Sequence, residues 1–176
     1  MTEKPVYRMK IFWPWQENEE EAWLREMTHQ GLHLLRIAMP GVYAFRRGEP
    51  QDVVYRQDVQ TPEQAERGVY LQLLQDAGWE YVTESGGLYY FRKAVEDGVE
   101  PELFTDNESR IEMYKRLMNY SAGLSPFVMV FYVIFLKDDL FTLKGLIMTV
   151  LFLGALALDM MFYVKMRKRI DELKAL

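Results

Sequence analysis

Gly31–Arg47 reads GLHLLRIAMPGVYAFRR, and Gly78–Lys93 reads GWEYVTESGGLYYFRK. Each stretch opens on a glycine that ends a helical pattern. Each then alternates apolar and polar residues, turns at Pro40-Gly41 or Gly86-Gly87, and closes on Tyr-x-Phe followed by two basic residues. Alternation on both sides of a turn pair is the signature of a β-hairpin. Two copies of one hairpin predict an internal duplication.

Working outward, Val6-Tyr7-Arg8 returns as Val54-Tyr55-Arg56, so each hairpin is preceded by a strand and a helical pattern. The first helix starts in the acidic run Glu17, Glu19, Glu20, Glu21, which suits the positive end of the helix dipole, and it is expected to bury Trp23, Leu24 and Met27. The second is expected to be capped at Thr61, with Pro62 and Gln64 completing its first turn, and to bury Ala65, Val69, Leu73 and Ala77. Each unit thus reads β-α-β-β, with repeat 1 at about 6–48 and repeat 2 at about 53–93. A unit this short cannot bury enough apolar surface alone, so two are expected to share a core. The expected fold class is α+β: a six-stranded antiparallel sheet with two helices over 1–93, followed by a two-helix transmembrane hairpin. The pattern resembles the effector-binding fold of multidrug-sensing regulators and SOUL-type haem-binding proteins, whose halves enclose an aromatic cleft.

Charge divides the chain. Met1–Asn119 carries 14 Lys+Arg against 21 Asp+Glu, and Tyr120–Leu176 carries 7 against 5, balances of −7 and +2 that sum to −5. The acidic front half disfavours direct nucleic-acid binding, which needs a basic stripe to neutralise phosphates. Cysteine is absent, so disulfides, thiolate zinc sites and thiol nucleophiles are excluded. The first residues lack an apolar run of signal-peptide length, and the front half is expected in the cytoplasm. No glycine-rich phosphate loop, GxSxG or HExxH occurs, so no enzyme, catalytic residue, cofactor or metal is assigned. His29 and His33 have i,i+4 spacing, but Gly31 between them ends the helix and separates their faces.

The back half predicts a membrane anchor. Leu117–Leu136 is uncharged, and so is Gly145–Leu158, which continues through Asp159 to Val164. Stretches of about 20 apolar residues cross a bilayer. Spans at 117–136 and 145–164 would be joined by Lys137-Asp138-Asp139, with a helix at 106–119 before them and a basic tail at 165–176. Lys115 and Arg116 before the first span, and Lys165, Arg167, Lys168 and Arg169 after the second, place both ends in the cytoplasm by the positive-inside rule. Asp159 is the ionisable residue within the spans. Near the headgroups it can hydrate or pair with Lys165 or Tyr163, or it can serve a function. Small residues such as Ser121 and Gly154 would permit close helix approach and a homodimer.

Binding candidates are aromatic. Tyr43 and Phe45 correspond to Tyr89 and Phe91, with Trp23 and Trp79 near them in the pattern. They would hold a small apolar ligand between rings or form an ordinary core. Trp13-Pro14-Trp15 ends the first strand; one Trp would staple the first helix, leaving the other for a partner. The acidic linker at 94–105, with Gly98 and Pro101, reads as an exposed loop, and Thr105 with Glu108 as a capping box for the next helix. Whether it relays a movement or only tethers stays open at this level.

The phrases KIFWPWQENEEEAWLREMTHQGLHLLR, VVYRQDV, LQDAGWEYV and YYFRKAVEDGVEPELFTDNESRIEMYKR carry a resemblance, over Lys10 to Arg116, to the bacterial family known as domain of unknown function 2812 (DUF2812). The resemblance implies a membrane-anchored protein encoded beside PadR-like transcriptional regulators, with no catalytic residues to carry over. Two functions are expected from these readings. One is a regulatory or sensory module in the bacterial cytoplasmic membrane whose front domain binds a PadR-like regulator or a small apolar effector. The other is an accessory subunit packed against a membrane transporter.

Overall fold

A computed structural model of the chain describes residues 4–59, 64–104, 106–136 and 142–175. The elements are β1 (Val6–Met9), α1 (Glu17–His29), β2 (Leu32–Met39), β3 (Val42–Arg47), β4 (Val53–Val59), α2 (Gln64–Asp76), β5 (Glu80–Ser85), β6 (Leu88–Ala94), α3 (Asn107–Leu136) and α4 (Leu143–Lys174). They form two compact units, Met1–Thr105 and Asp106–Leu176.

In the first unit the β-α-β-β pattern occurs twice, with equivalent strand orders β1-β3-β2 and β4-β6-β5, all antiparallel. The expectation of one six-stranded sheet is corrected: there are two three-stranded sheets. Strands β2 and β5 run close to each other, yet no ladder joins them. Both are irregular edges. β2 shifts register between Leu34 and Arg36 and between Ile37 and Met39, and β5 between Tyr81 and Thr83. Such irregularities bend an edge and break the row of free amides and carbonyls that a further strand needs.

Two turns explain the glycines quoted above. Gly31 has φ +72°, and a Cβ there would lie 2.5 Å from the Gly48 carbonyl oxygen, so only glycine fits. Gly86 and Gly87 have φ of 60° and 82°, the two left-handed residues of a type I′ hairpin turn between the paired Ser85 and Leu88.

The core is shared between repeats. One cluster unites Leu24 and Met27 of α1 with Leu32, Leu34, Tyr43 and Phe45 of repeat 1 and Val53, Tyr55 and Tyr90 of repeat 2. A second holds Val54, Leu74, Trp79, Tyr89 and Phe91. The period-two alternation of β4 sends Val53 and Tyr55 into the first cluster and Val54 into the second. The expected buried stripe on α2 is corrected. Val69 and Leu73 are 72% and 64% exposed, and Tyr70, Leu71 and Leu74 face the core instead. Tyr70 supplies the reason: its ring meets Phe91 edge-on at 6.0 Å, and its hydroxyl donates to the buried Asp58. The expected caps at Thr61, Pro62 and Thr105, the side chain of Ala65 and the turn Lys137-Asp138-Asp139 lie outside the described residues.

In the second unit α3 and α4 pair antiparallel. Asn107 Nδ2 donates to the Leu173 carbonyl at 3.2 Å, Ser121 Oγ to Asp159 at 3.1 Å, and the Tyr132 and Thr149 hydroxyls meet at 3.1 Å. Asp106 caps α3, accepting from the Ser109 amide at 2.7 Å. Its buried residues include Ile111, Met113, Tyr114 and Leu117, those of α4 Phe162, Met166 and Ile170. The expectation of two apolar helices is reduced to one. Among the described residues, α4 is the helix long and apolar enough to cross a membrane. The expected first span is instead the last two thirds of a 30-residue helix that begins polar and amphipathic.

Candidate functional site

The six aromatic candidates do not meet in one cleft. Trp23, Tyr43 and Phe45 belong to the first cluster, where Trp23 packs edge-on against Tyr43 at 4.9 Å and Phe45 at 5.8 Å. Trp79, Tyr89 and Phe91 belong to the second, with Tyr81 against Tyr89 at 5.8 Å and Phe91 at 5.9 Å. Phe45 and Phe91 are fully buried. Both lie on the central strand of a three-stranded sheet, so duplication repeats their environment instead of turning them toward each other.

Sequence reasoning missed the polar centre between the repeats. Glu20 is buried and accepts from Tyr43 Oη at 2.7 Å, Tyr90 Oη at 3.0 Å and Gln57 Nε2 at 3.0 Å. Burial, and then the nearby Glu20 charge, raise both phenols far above their usual range, so they remain donors. A signal was present: Glu20, Leu24 and Met27 have i, i+4, i+7 spacing, which puts Glu20 on the buried face. Its place in an acidic run at the positive end of the helix masks that signal.

The linker is fastened, not loose. Arg25 holds Asp52 through bonds of 2.6 and 2.8 Å and reaches Glu100 at 2.8 Å. Arg56 contacts Glu100 at 2.7 Å, Glu102 at 3.2 Å and Glu21 at 3.3 Å. Before these residues, a turn at Asp97 and Gly98 is closed by the Glu96–Val99 bridge. The Arg25 hydrogen bond draws the Asp52 carboxyl down to about 2, and Arg56 lowers Glu100. Burial pushes Glu21 the other way, to about 8, despite Arg56 and the Gln57 amide. Arg56→Ala removes three of these contacts. It should expose the linker to a Glu-specific protease and speed cleavage after Glu102 about tenfold, as loss of about 1.4 kcal/mol from local closure would. An unchanged cleavage rate would show that the ion pairs do not hold the segment.

Trp13 and Trp15 stack with rings 2° from parallel and 5.3 Å apart, and Trp13 is 44% exposed. The helix-packing role expected of one of them belongs to Phe12, which packs against Trp23 at 5.6 Å. His29 donates to Asp52 at 2.9 Å and the buried His33 to the Glu49 carbonyl at 2.9 Å, so the two histidines serve different partners. No group of three potential metal ligands occurs among the described residues. On α4, Asp159 accepts from Ser121 of the neighbouring helix, and Tyr163 accepts from Arg167 at 3.1 Å. Lys165, Arg167 and Lys168 are exposed and Arg169 is half-buried. A concavity of about 310 Å³ between the two helices is lined by Lys115, Asn119, Tyr163, Arg167 and Lys174.

The basic pairs that close the two hairpins do converge. Arg46 and Arg47 of repeat 1 and Arg92 and Lys93 of repeat 2 line one cavity of about 430 Å³, with His33 and Glu80. Arg92 is held by Glu80 at 2.6 and 2.9 Å, and Lys93 donates to the Ala77 carbonyl at 2.8 Å. Arg46 and Arg47 are exposed, and among the described residues their side chains make no ion pair or hydrogen bond.

Comparison with curated proteins and with solved structures finds no match. One family model does match, over residues 16–125, from the start of α1 through the rest of the two repeats and the linker into α3, leaving out β1. The chain belongs to that family, described as "Protein of unknown function (DUF2812)".

Proposed function

We propose that the chain is a non-enzymatic, membrane-anchored regulatory protein whose front unit binds a partner protein, of which a PadR-like transcriptional regulator is the leading candidate. One observation carries the anchoring: the apolar residues of α4, among them Leu146, Ile147, Val150, Leu151 and Leu153, are exposed. A core helix of a soluble protein would bury them, and lipid covers such a surface without loss. In this reading α3 crosses beside α4, because its residues Phe127, Val130, Phe131, Val133 and Ile134 are equally exposed, and both termini lie on the basic, cytoplasmic side. A partner protein is favoured over an apolar effector because the six candidate rings pack within two clusters, whereas the Trp13–Trp15 stack stands at the surface. The fastened linker favours transmission over a loose tether. An accessory subunit bound to a transporter is the second reading, supported by the same exposed helix.

The absence of cysteine makes the topology directly measurable. In intact cells a membrane-impermeant thiol reagent should label Asp138→Cys, and should label Lys174→Cys only after permeabilisation. Labelling of both from one side would overturn the two-pass arrangement. Capture of a PadR-like regulator by the full chain, lost in Trp13→Ala/Trp15→Ala, supports the regulatory reading; co-purification with a transporter alone replaces it with the second.

A further inference from the structure

We infer that the cavity where the two repeats end is a binding site for a small phosphate-bearing anion, formed by Arg46 and Arg47 with Lys93 and Arg92 in support. The site lies wholly within the front unit and does not depend on membrane anchoring. The first observation is charge placement. Four cations line one concavity, with Glu49 and Glu80 as its acids, in a front half whose balance is −7. Elsewhere in this unit the arginines Arg25 and Arg56 are each spent on two or more carboxylates. Here the Arg46 and Arg47 guanidinium groups stand without a side-chain partner among the described residues.

Second, the site is concave. Its volume of about 430 Å³ falls within the roughly 300–1,000 Å³ of small-molecule pockets. Low-dielectric walls around like charges focus their field and raise the local anion concentration. Third, the chemistry selects. Guanidinium groups offer planar, paired N–H donors that match phosphate oxygens two at a time. Arg92 is already oriented by Glu80, and the Lys93 ammonium, fixed by the Ala77 carbonyl, adds a point charge. His33, Glu49 and Gln51 provide polar lining suited to the hydroxyls of a sugar or glycerol attached to the phosphate.

The duplication explains why the cavity exists. The hairpins end in equivalent basic pairs, Arg46-Arg47 after Phe45 and Arg92-Lys93 after Phe91. Sharing one core brings those pairs to a common rim. The Arg92-Lys93 pair also serves the fold through Glu80, the Ala77 carbonyl and the Trp79 ring, whereas Arg46-Arg47 has no such role among the described residues.

The test uses the full chain in an uncharged detergent at low salt, titrated by calorimetry with pyrophosphate, ADP, a short-chain phosphatidic acid and citrate. We expect saturable binding of at least one phosphate compound, weakened about 100-fold in Arg46→Gln/Arg47→Gln, as loss of two charge-assisted contacts predicts. Arg8→Gln, outside the cavity, should bind as wild type does, and a circular dichroism melt confirms that both variants fold. Binding of phosphatidic acid without ADP or pyrophosphate assigns the phosphate to a lipid headgroup, and the converse to a soluble metabolite. No saturable phosphate binding, citrate binding alone, or equal affinity in the double variant overturns the proposal.

Discussion

Glu20→Ala should cost about 4 kcal/mol of stability, because it leaves the Tyr43 and Tyr90 hydroxyls and the Gln57 amide buried without their shared acceptor. Each stranded donor costs about 1–3 kcal/mol, and the shortened side chain leaves a void beside Leu24. The carboxyl also joins the repeats, taking one donor from repeat 1 and two from repeat 2. Comparison among variants separates the polar term from the packing term. Tyr43→Phe removes one donor and should cost only about 1 kcal/mol, and Glu20→Gln, which keeps an acceptor oxygen, should fall between it and Glu20→Ala. Denaturant titration of the full chain provides the numbers. If Glu20→Ala and Glu20→Gln destabilise equally by less than about 1 kcal/mol, the network does not hold the repeats together.

Stability of the front unit should fall as pH rises from about 4.5 to about 8, through Glu21. Burial lifts this carboxyl from its ordinary 4.5 to about 8 in the folded protein. Between those values the unfolded chain has released the proton that the folded chain retains, so the folded state binds more protons and each step upward in pH favours unfolding. At about 1.36 kcal/mol per pH unit the effect is bounded at about 5 kcal/mol. Asp52 has the opposite sign and a separate window: its contribution is present above its ordinary 3.8 and disappears as pH falls toward about 2. Glu21→Gln keeps an acceptor for the Gln57 amide but removes the titration. The variant should match wild type near pH 4.5 and be clearly more stable near pH 8.5, measured as melting temperature across that range. Parallel curves for the two proteins would show that Glu21 does not titrate with folding.

Hairpin boundaries, the duplication and the apolar character of α4 were legible because they are set locally. Left-handed glycines at the helix ends and in the Gly86-Gly87 turn, period-two alternation and long uncharged runs act within a few residues of themselves. The binding candidates were less legible. Tyr43 and Phe45 do repeat as Tyr89 and Phe91, but repetition does not say whether equivalent residues face each other or occupy separate clusters. For α2, both Val69–Leu73 and Tyr70–Leu74 have i, i+4 spacing, and periodicity alone cannot choose between neighbouring stripes.

The chain's sequence by itself determined two β-α-β-β units, their hairpin turns, the ends of α1 and the apolar character of α4, but it divided α3 in two and stopped α4 ten residues short of Lys174. Only the tertiary structure decided that the units keep separate sheets, that Glu20 is buried as a shared acceptor, that Glu100 and Glu102 fold back onto Arg25 and Arg56, and that two basic strand ends share a cavity. The physical reason is range. A turn or an amphipathic face depends on a few neighbours along the chain, whereas burial of a carboxylate or pairing of an edge depends on which distant strand arrives to cover it.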